Sequence, residues 1–131
     1  MCLEIVKNAK AKKPNADGYC IGWKVVDTDN GAPYHWVHGG YLYKEGKNVS
    51  DRLSKDIQSW EHKNINHGFH VYGSRKSARL GKIRYYALAQ HCPHPKTKII
   101  KVYFKPEDVI AYGTENEIAV IKLTINSLKG E

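Results

Sequence analysis

The chain has 131 residues, a formal net charge of +8, 41% hydrophobic and 26% charged residues. That size carries one core of ordinary extent, and that balance excludes a disordered or fibrous chain. No apolar run approaches the roughly 18 residues of a membrane span, so no membrane partner is expected.

The opening "MCLEIVKNAKAKKPNADG" lacks an apolar h-region, so no secretory signal is expected and a cytoplasmic location follows. "CIGWKVV" (20–26) predicts a buried strand, and "DTDNGAP" (27–33) supplies turn residues. "YHWVHGGYLY" (34–43) is aromatic and β-branched with Gly39 and Gly40 inside, which predicts a second strand interrupted by a bulge. "SDRLSKDIQSWEH" (50–62) carries the clearest helical signature: Ser50 as cap, Asp51 at the positive end, and Leu53, Ile57 and Trp60 on one face.

"GFHVY" (68–72) predicts a strand, and "SRKSARLG" (74–81) a two-turn helix capped by Ser74 and stopped by Gly81. "IRYYALAQ" (83–90), "KIIKVYF" (98–104) and "EIAVIKLTI" (117–125) read as three further strands. In "KPEDVIAYG", Pro106 marks a first turn followed by a short strand. Helices do not alternate regularly with strands, so the expected fold is α+β. It is one compact domain over 1–131, a mainly antiparallel mixed sheet of about six strands with two helices.

The charge is concentrated in one part of the chain. From His62 to Pro106 there is no Asp or Glu, while ten of the 21 Lys and Arg and five of the seven His fall there. The remaining eleven basic residues face thirteen acidic ones. Such one-sided charge attracts anions and speeds their arrival. The sharpest local signal is the start of the 74–81 helix. A helix N-terminus carries about half a positive charge and favours Asp or Glu. Here it offers Arg75, Lys76 and Arg79, with Lys82 and Arg84 following. Backbone N–H groups, a helix dipole and guanidinium forks together make a natural phosphate site. The expected anion-binding set is therefore Ser74, Arg75, Lys76, Arg79, Lys82, Arg84 and Tyr72. The competing reading is a solvated cationic face with no ligand. Tyr72, Tyr85, Tyr86 and Tyr103 are interleaved with these cations, either packing on the sheet or stacking on a base.

The three cysteines have no C-x-x-C spacing, and free thiols are the expected state. "HCPH" (91–94) has zinc-type ligands but no second cluster, so no metal site is expected. His70, beside the basic helix, is suited to donate to a phosphate or to act as a general acid.

Two resemblances extend this reading. "MCLEI" at the start, "GWKVV" (22–26), "GFHVY" and the closing "EIAVIKLTI" together resemble a group of small uncharacterised phage and prophage proteins. That resemblance implies an accessory, counter-defence role in the cytoplasm of an infected or lysogenic bacterial host. The second is to catalytic domains of ADP-ribosyltransferases of the poly(ADP-ribose) polymerase type. It rests on His38-Gly39, Gly68-Phe69-His70, Lys76-Ser77-Ala78 and Asn116-Glu117-Ile118, in that order. It implies NAD as cofactor, with His38 on its ribose, His70 in the stacking position and Glu117 polarising a ribose hydroxyl. Gly40 stands where that family has a hydroxyl residue, and His70 where it has Tyr.

The leading expectation is a binding protein without cofactor. It would engage nucleic acid, a nucleotide or a host nucleoprotein through its basic strand–turn–helix surface. An NAD-consuming enzyme using His38, His70 and Glu117 is the alternative, and an inhibitor that binds a host protein is the third class.

Overall fold

The strand β2 (Cys20–Asp29) sets the pattern for the sheet. Its buried positions Cys20, Gly22, Lys24 and Val26 alternate with half-buried Ile21, Trp23 and Val25. A period of two with both faces covered is the mark of a strand between two packed layers. The structure, a computed structural model, describes residues 3–29, 32–35, 41–50, 64–65, 68–88 and 97–129. The helix expected over 50–62 falls outside the described residues except for Ser50.

The remaining elements are β1 (Leu3–Glu4), β3 (Ala32–His35), β4 (Tyr41–Leu42), β5 (Gly46–Val49), β6 (Asn64–Ile65), β7 (Phe69–Tyr72), α1 (Arg75–Leu88), β8 (Thr97–Phe104), β9 (Val109–Tyr112), β10 (Glu117–Val120) and β11 (Lys122–Ile125). Seven strands run in the order β5-β11-β8-β2-β7-β10-β9, every pairing antiparallel. The fold is α+β and largely sheet, as its sequence predicts.

Connectivity forces this sheet to curl. β10 and β11 are joined by Ile121 alone, yet β7, β2 and β8 lie between them. Four strand spacings of a flat sheet measure about 19 Å, whereas a one-residue joint spans about 7 Å. The edges therefore bend towards each other and meet at Ile121. Its N–H donates to Asp108 at the head of β9, and its carbonyl accepts from Ser50 at the end of β5. "EIAVIKLTI" is thus two strands broken at Ile121, where a single one was expected.

The curl encloses the main core: Val71, Ile100, Val102, Phe104, Ile118 and Leu123 and their neighbours, all but fully buried. On the outer face, α1 packs through Ala78 onto Tyr72 and Ile99, with Trp23 and Val25 alongside. Leu3 from β1 covers Ala119, with Ile5, Ile110 and Ala111, as a second small cluster.

Three sequence expectations are corrected. Asp27–Asp29 continue β2 and pair with β3, where a turn was expected. β3 and β4 form a hairpin with Tyr34 opposite Leu42, not one bulged strand, and Gly39 and Gly40 lie outside the described residues. The helix does not stop at Gly81: α1 continues to Leu88 through most of the segment read as the strand "IRYYALAQ". Gly81 is fully packed, and a Cβ there would collide with the Tyr72 hydroxyl. The glycine makes room for close helix–sheet contact; it does not terminate the helix.

Candidate functional site

The start of α1 is built as the sequence implies, and then covered. The Ser74 carbonyl accepts from the Ala78 N–H at 3.1 Å, and its Oγ accepts from the Ser77 N–H at 3.1 Å, an N-cap of the usual kind. No acidic side chain falls in the first helical turn. Over this end lies the single turn Thr114–Asn116. The Asn116 side-chain amide donates to Ser74 Oγ and Ser77 Oγ at 3.3 Å each, and the Asn116 backbone carbonyl accepts from the Gly73 N–H at 2.8 Å. Gly73 has no side chain because Asn116 occupies that space. Glu115 and Asn116 both hold left-handed backbone, at φ of 58° and 62°. Two successive non-glycine residues in that region cost free energy, which the contacts to the helix start offset. The helix end is thus served by neutral hydroxyl and amide groups.

The cations divide into two groups. Arg75 folds back on the sheet, its guanidinium 4.4 Å from the centre of the Trp23 ring. Lys76 and Arg79 are exposed, and Lys82 is half-buried. Arg84 is on α1, but its side chain lies outside the described set. Leu80 and Ile83 are also exposed, at 52% and 64%, next to these cations.

A cation–aromatic series continues from Arg75 across the outer face. Trp23 is paired with Lys101 of β8, and the Lys101 ammonium lies 5.8 Å from the Trp23 ring and 5.6 Å from that of Tyr103. Lys101 is exposed, while Trp23 and Tyr103 are half-buried. Arg75, Trp23, Lys101 and Tyr103 therefore form one unbroken line of alternating charge and π-face. Each such contact is worth roughly 0.5–1 kcal/mol at an exposed site.

Tyr72 is buried beneath α1, and its hydroxyl donates to Glu117 Oε1 at 3.4 Å. The pairing of β7 with β10 sets Glu117 opposite Tyr72 and Ala119 opposite His70. His70 and Glu117 are consequently diagonal neighbours on the outer face, each half-buried. Beneath them, the Lys24 ammonium donates to the His70 carbonyl at 2.6 Å from the inner side of the sheet. His38 lies outside the described residues, as does the "HCPH" segment. Among the described residues no group of His, Cys, Asp and Glu is arranged to hold a metal ion. Among them, too, no helix is long and apolar enough to cross a membrane.

Cys20 is a free, buried thiol whose Sγ lies 3.6 Å from the Lys12 carbonyl. Burial pushes its pKa up, and the nearby Lys12 charge opposes that shift in part. The Lys12 ammonium donates to the Gly73 carbonyl, tying the amino-terminal segment to the turn before α1.

Sequence reasoning placed cations around α1 but missed the Trp23–Lys101–Tyr103 line. Its only signal was alternation within "GWKVV" and "KVYF", which shows that side chains share a face but not which strands adjoin. No protein-family model matches the chain, and no curated protein or solved structure is significantly similar to it.

Proposed function

We propose that the chain is a binding protein for a phosphate-bearing partner, with single-stranded nucleic acid the class that suits its surface. The supporting observation is the line Arg75–Trp23–Lys101–Tyr103, flanked by the exposed Lys76 and Arg79. Strand-binding surfaces combine cations that track the backbone with rings on which bases stack, and this face supplies both at close spacing. The Asn116 cover at the helix start directs the phosphate contacts to side chains, not to the helix amides. Cations spread along a face suit an extended polyanion better than a single small anion.

The test is fluorescence anisotropy with a labelled oligonucleotide across a salt series. Neutralising three phosphates predicts a log–log slope near −2 for single strands, at about 0.7 per phosphate. The combined change Lys76→Ala, Arg79→Ala, Lys101→Ala should flatten that slope and weaken binding at least tenfold, with the circular dichroism spectrum unchanged. Equal affinity in the triple variant would rule this function out.

A second reading, an NAD-consuming transferase, is favoured by one observation: His70 and Glu117 share a face on adjacent strands, with the Tyr72 hydroxyl on the carboxylate. Its residues would hold NAD over the outer face of β7 and β10, with Glu117 accepting from a ribose hydroxyl. Release of nicotinamide from NAD that is lost in Glu117→Gln would support it. Absence of release by the native chain eliminates it.

A further inference from the structure

A cleft of about 190 Å³ opens where β5, β11 and β8 adjoin, next to Tyr103 at the end of the cation–aromatic line. Its walls carry Lys47, Lys105 and Lys122, the rings of Tyr19 and Tyr103, and the carboxylates of Glu107 and Asp108. Of these residues, the sequence singles out only Tyr103, as a ring that packs on the sheet or stacks on a base.

Three features set it apart from ordinary surface. First, the sheet holds its cations together against their repulsion. Thr124 pairs with Lys47 on one side and with Tyr103 on the other. Lys122 lies two residues before Thr124 on the same face of β11, and Lys105 directly follows β8, so both reach the cleft. Three lysines brought to one cleft repel one another, and the two carboxylates that share it leave an excess of positive charge. Second, these charged side chains are not locked in ion pairs with one another. Among the described residues, Lys47, Lys122, Glu107 and Asp108 form no side-chain hydrogen bond or ion pair, although all four line one cleft. Third, the rings are placed by rigid elements. The Asn15 side chain accepts from the N–H groups of Asp17 and Tyr19, each at 3.0 Å, which fixes the turn leading into β2. Tyr19 then lies beneath the Lys105 ammonium at 5.6 Å.

The occupant must satisfy cations, carboxylates and aromatic faces together. An inorganic anion answers only the lysines, and a cation only the carboxylates. A ribonucleoside phosphate answers all three: the phosphate on Lys105 and Lys122, ribose hydroxyls donating to Glu107 and Asp108, and the base on a tyrosine ring. Carboxylate recognition of ribose hydroxyls is a recurrent solution in nucleotide sites. The volume equals roughly six water molecules at about 30 Å³ each, room for a phosphate and a pentose, with the base lying towards Tyr103. We propose that this cleft is a ribonucleotide subsite. It distinguishes ribose from deoxyribose and lies at the end of the strand-binding face, so its relation to that face rests on the function proposed above.

The experiment is a titration of the whole, isotope-labelled protein, followed by amide NMR shifts. The probes are adenosine 5′-monophosphate, its 2′-deoxy form and unphosphorylated adenosine. The ribonucleotide should shift amides in 103–108 and 122–124. Lys105→Ala with Lys122→Ala should weaken it at least tenfold, and Glu107→Gln with Asp108→Asn should remove the preference for ribose. No shifts in those segments, or equal affinity for unphosphorylated adenosine, overturns the proposal. Two single-stranded RNAs differing only in a 5′-phosphate identify the source. At least tenfold tighter binding of the phosphorylated strand assigns the cleft to an RNA end, whereas equal binding assigns it to a free nucleotide. The two proposals fail separately. If RNA binds through Lys76, Arg79 and Lys101 and the cleft stays silent, the subsite is wrong. If adenosine monophosphate binds the cleft and no oligonucleotide binds the protein, the strand-binding function is wrong.

Discussion

On the inner face of β2, β7, β8 and β10, nearly every described side chain is apolar and fully buried, with Lys24 and the half-buried Lys98 the exceptions. On the outer face of the same strands stand Trp23, His70, Tyr72, Lys101, Tyr103 and Glu117, most of them half-buried. The inner face is enclosed by the curl of one sheet, so its residues answer only to volume. The outer face is divided between α1 and the amino-terminal strand, and the rows between those covers keep polar groups and rings within reach of solvent. Stability is concentrated on one side of the sheet and the chemical groups on the other.

Substitutions should separate the two faces, and the largest effect belongs to the inner one. Phe104→Ala empties the packed interior and should cost about 3–5 kcal/mol in urea unfolding. A loss under 1 kcal/mol would show that the curled core is not formed. At the helix–sheet contact, Gly81→Ala opposes propensity to packing. The helix alone would gain about 1 kcal/mol, but the collision with Tyr72 should turn this into a net loss of about 1–3 kcal/mol. Adding Tyr72→Ala should restore the favourable sign, and a double-mutant cycle reads the coupling.

Asn116→Ala removes the amide from both serine hydroxyls and places alanine in left-handed backbone, which should cost about 1–2 kcal/mol. Thermal unfolding checks this, and an unchanged midpoint would show that the cover over α1 is ornamental. A smaller effect concerns Cys20. Its folded pKa is raised, so the folded state holds the thiol proton more tightly than the unfolded chain does. That contribution is complete below the ordinary thiol pKa of about 8.5 and declines as pH rises above it. Replacing Cys20 with Ala should flatten the alkaline limb of the stability profile. Least affected should be the exposed outer flank. Lys76→Ala and Arg79→Ala should alter stability by no more than about 0.5 kcal/mol each while binding falls, the reverse of the Phe104 result.

Much of the sheet was legible because strands with two covered faces read as short runs rich in apolar, β-branched and aromatic residues. "GFHVY" and "KIIKVYF" read correctly for that reason, and Pro106 marked its single turn. "IRYYALAQ" misled because isoleucine and tyrosine favour strands locally, while the contact of Gly81 with Tyr72 rewards extending the helix. The helix start at Ser74 was readable from its cap and its unusual charges. Its Asn116 cover was not, since 42 residues separate Asn116 from Ser74.

The amino-acid sequence by itself determined the α+β class, the position of β7 and of the helix start, and the concentration of positive charge in the middle of the chain. These depend on local periodicity, capping and composition, which need no distant partner. Only the tertiary structure decided that Ile121 closes the sheet, that Trp23, Lys101 and Tyr103 form one line, and that Lys105 and Lys122 line one cleft. Each of those facts depends on strand order and register, which arise from the burial of one whole face and are written in no single stretch of residues.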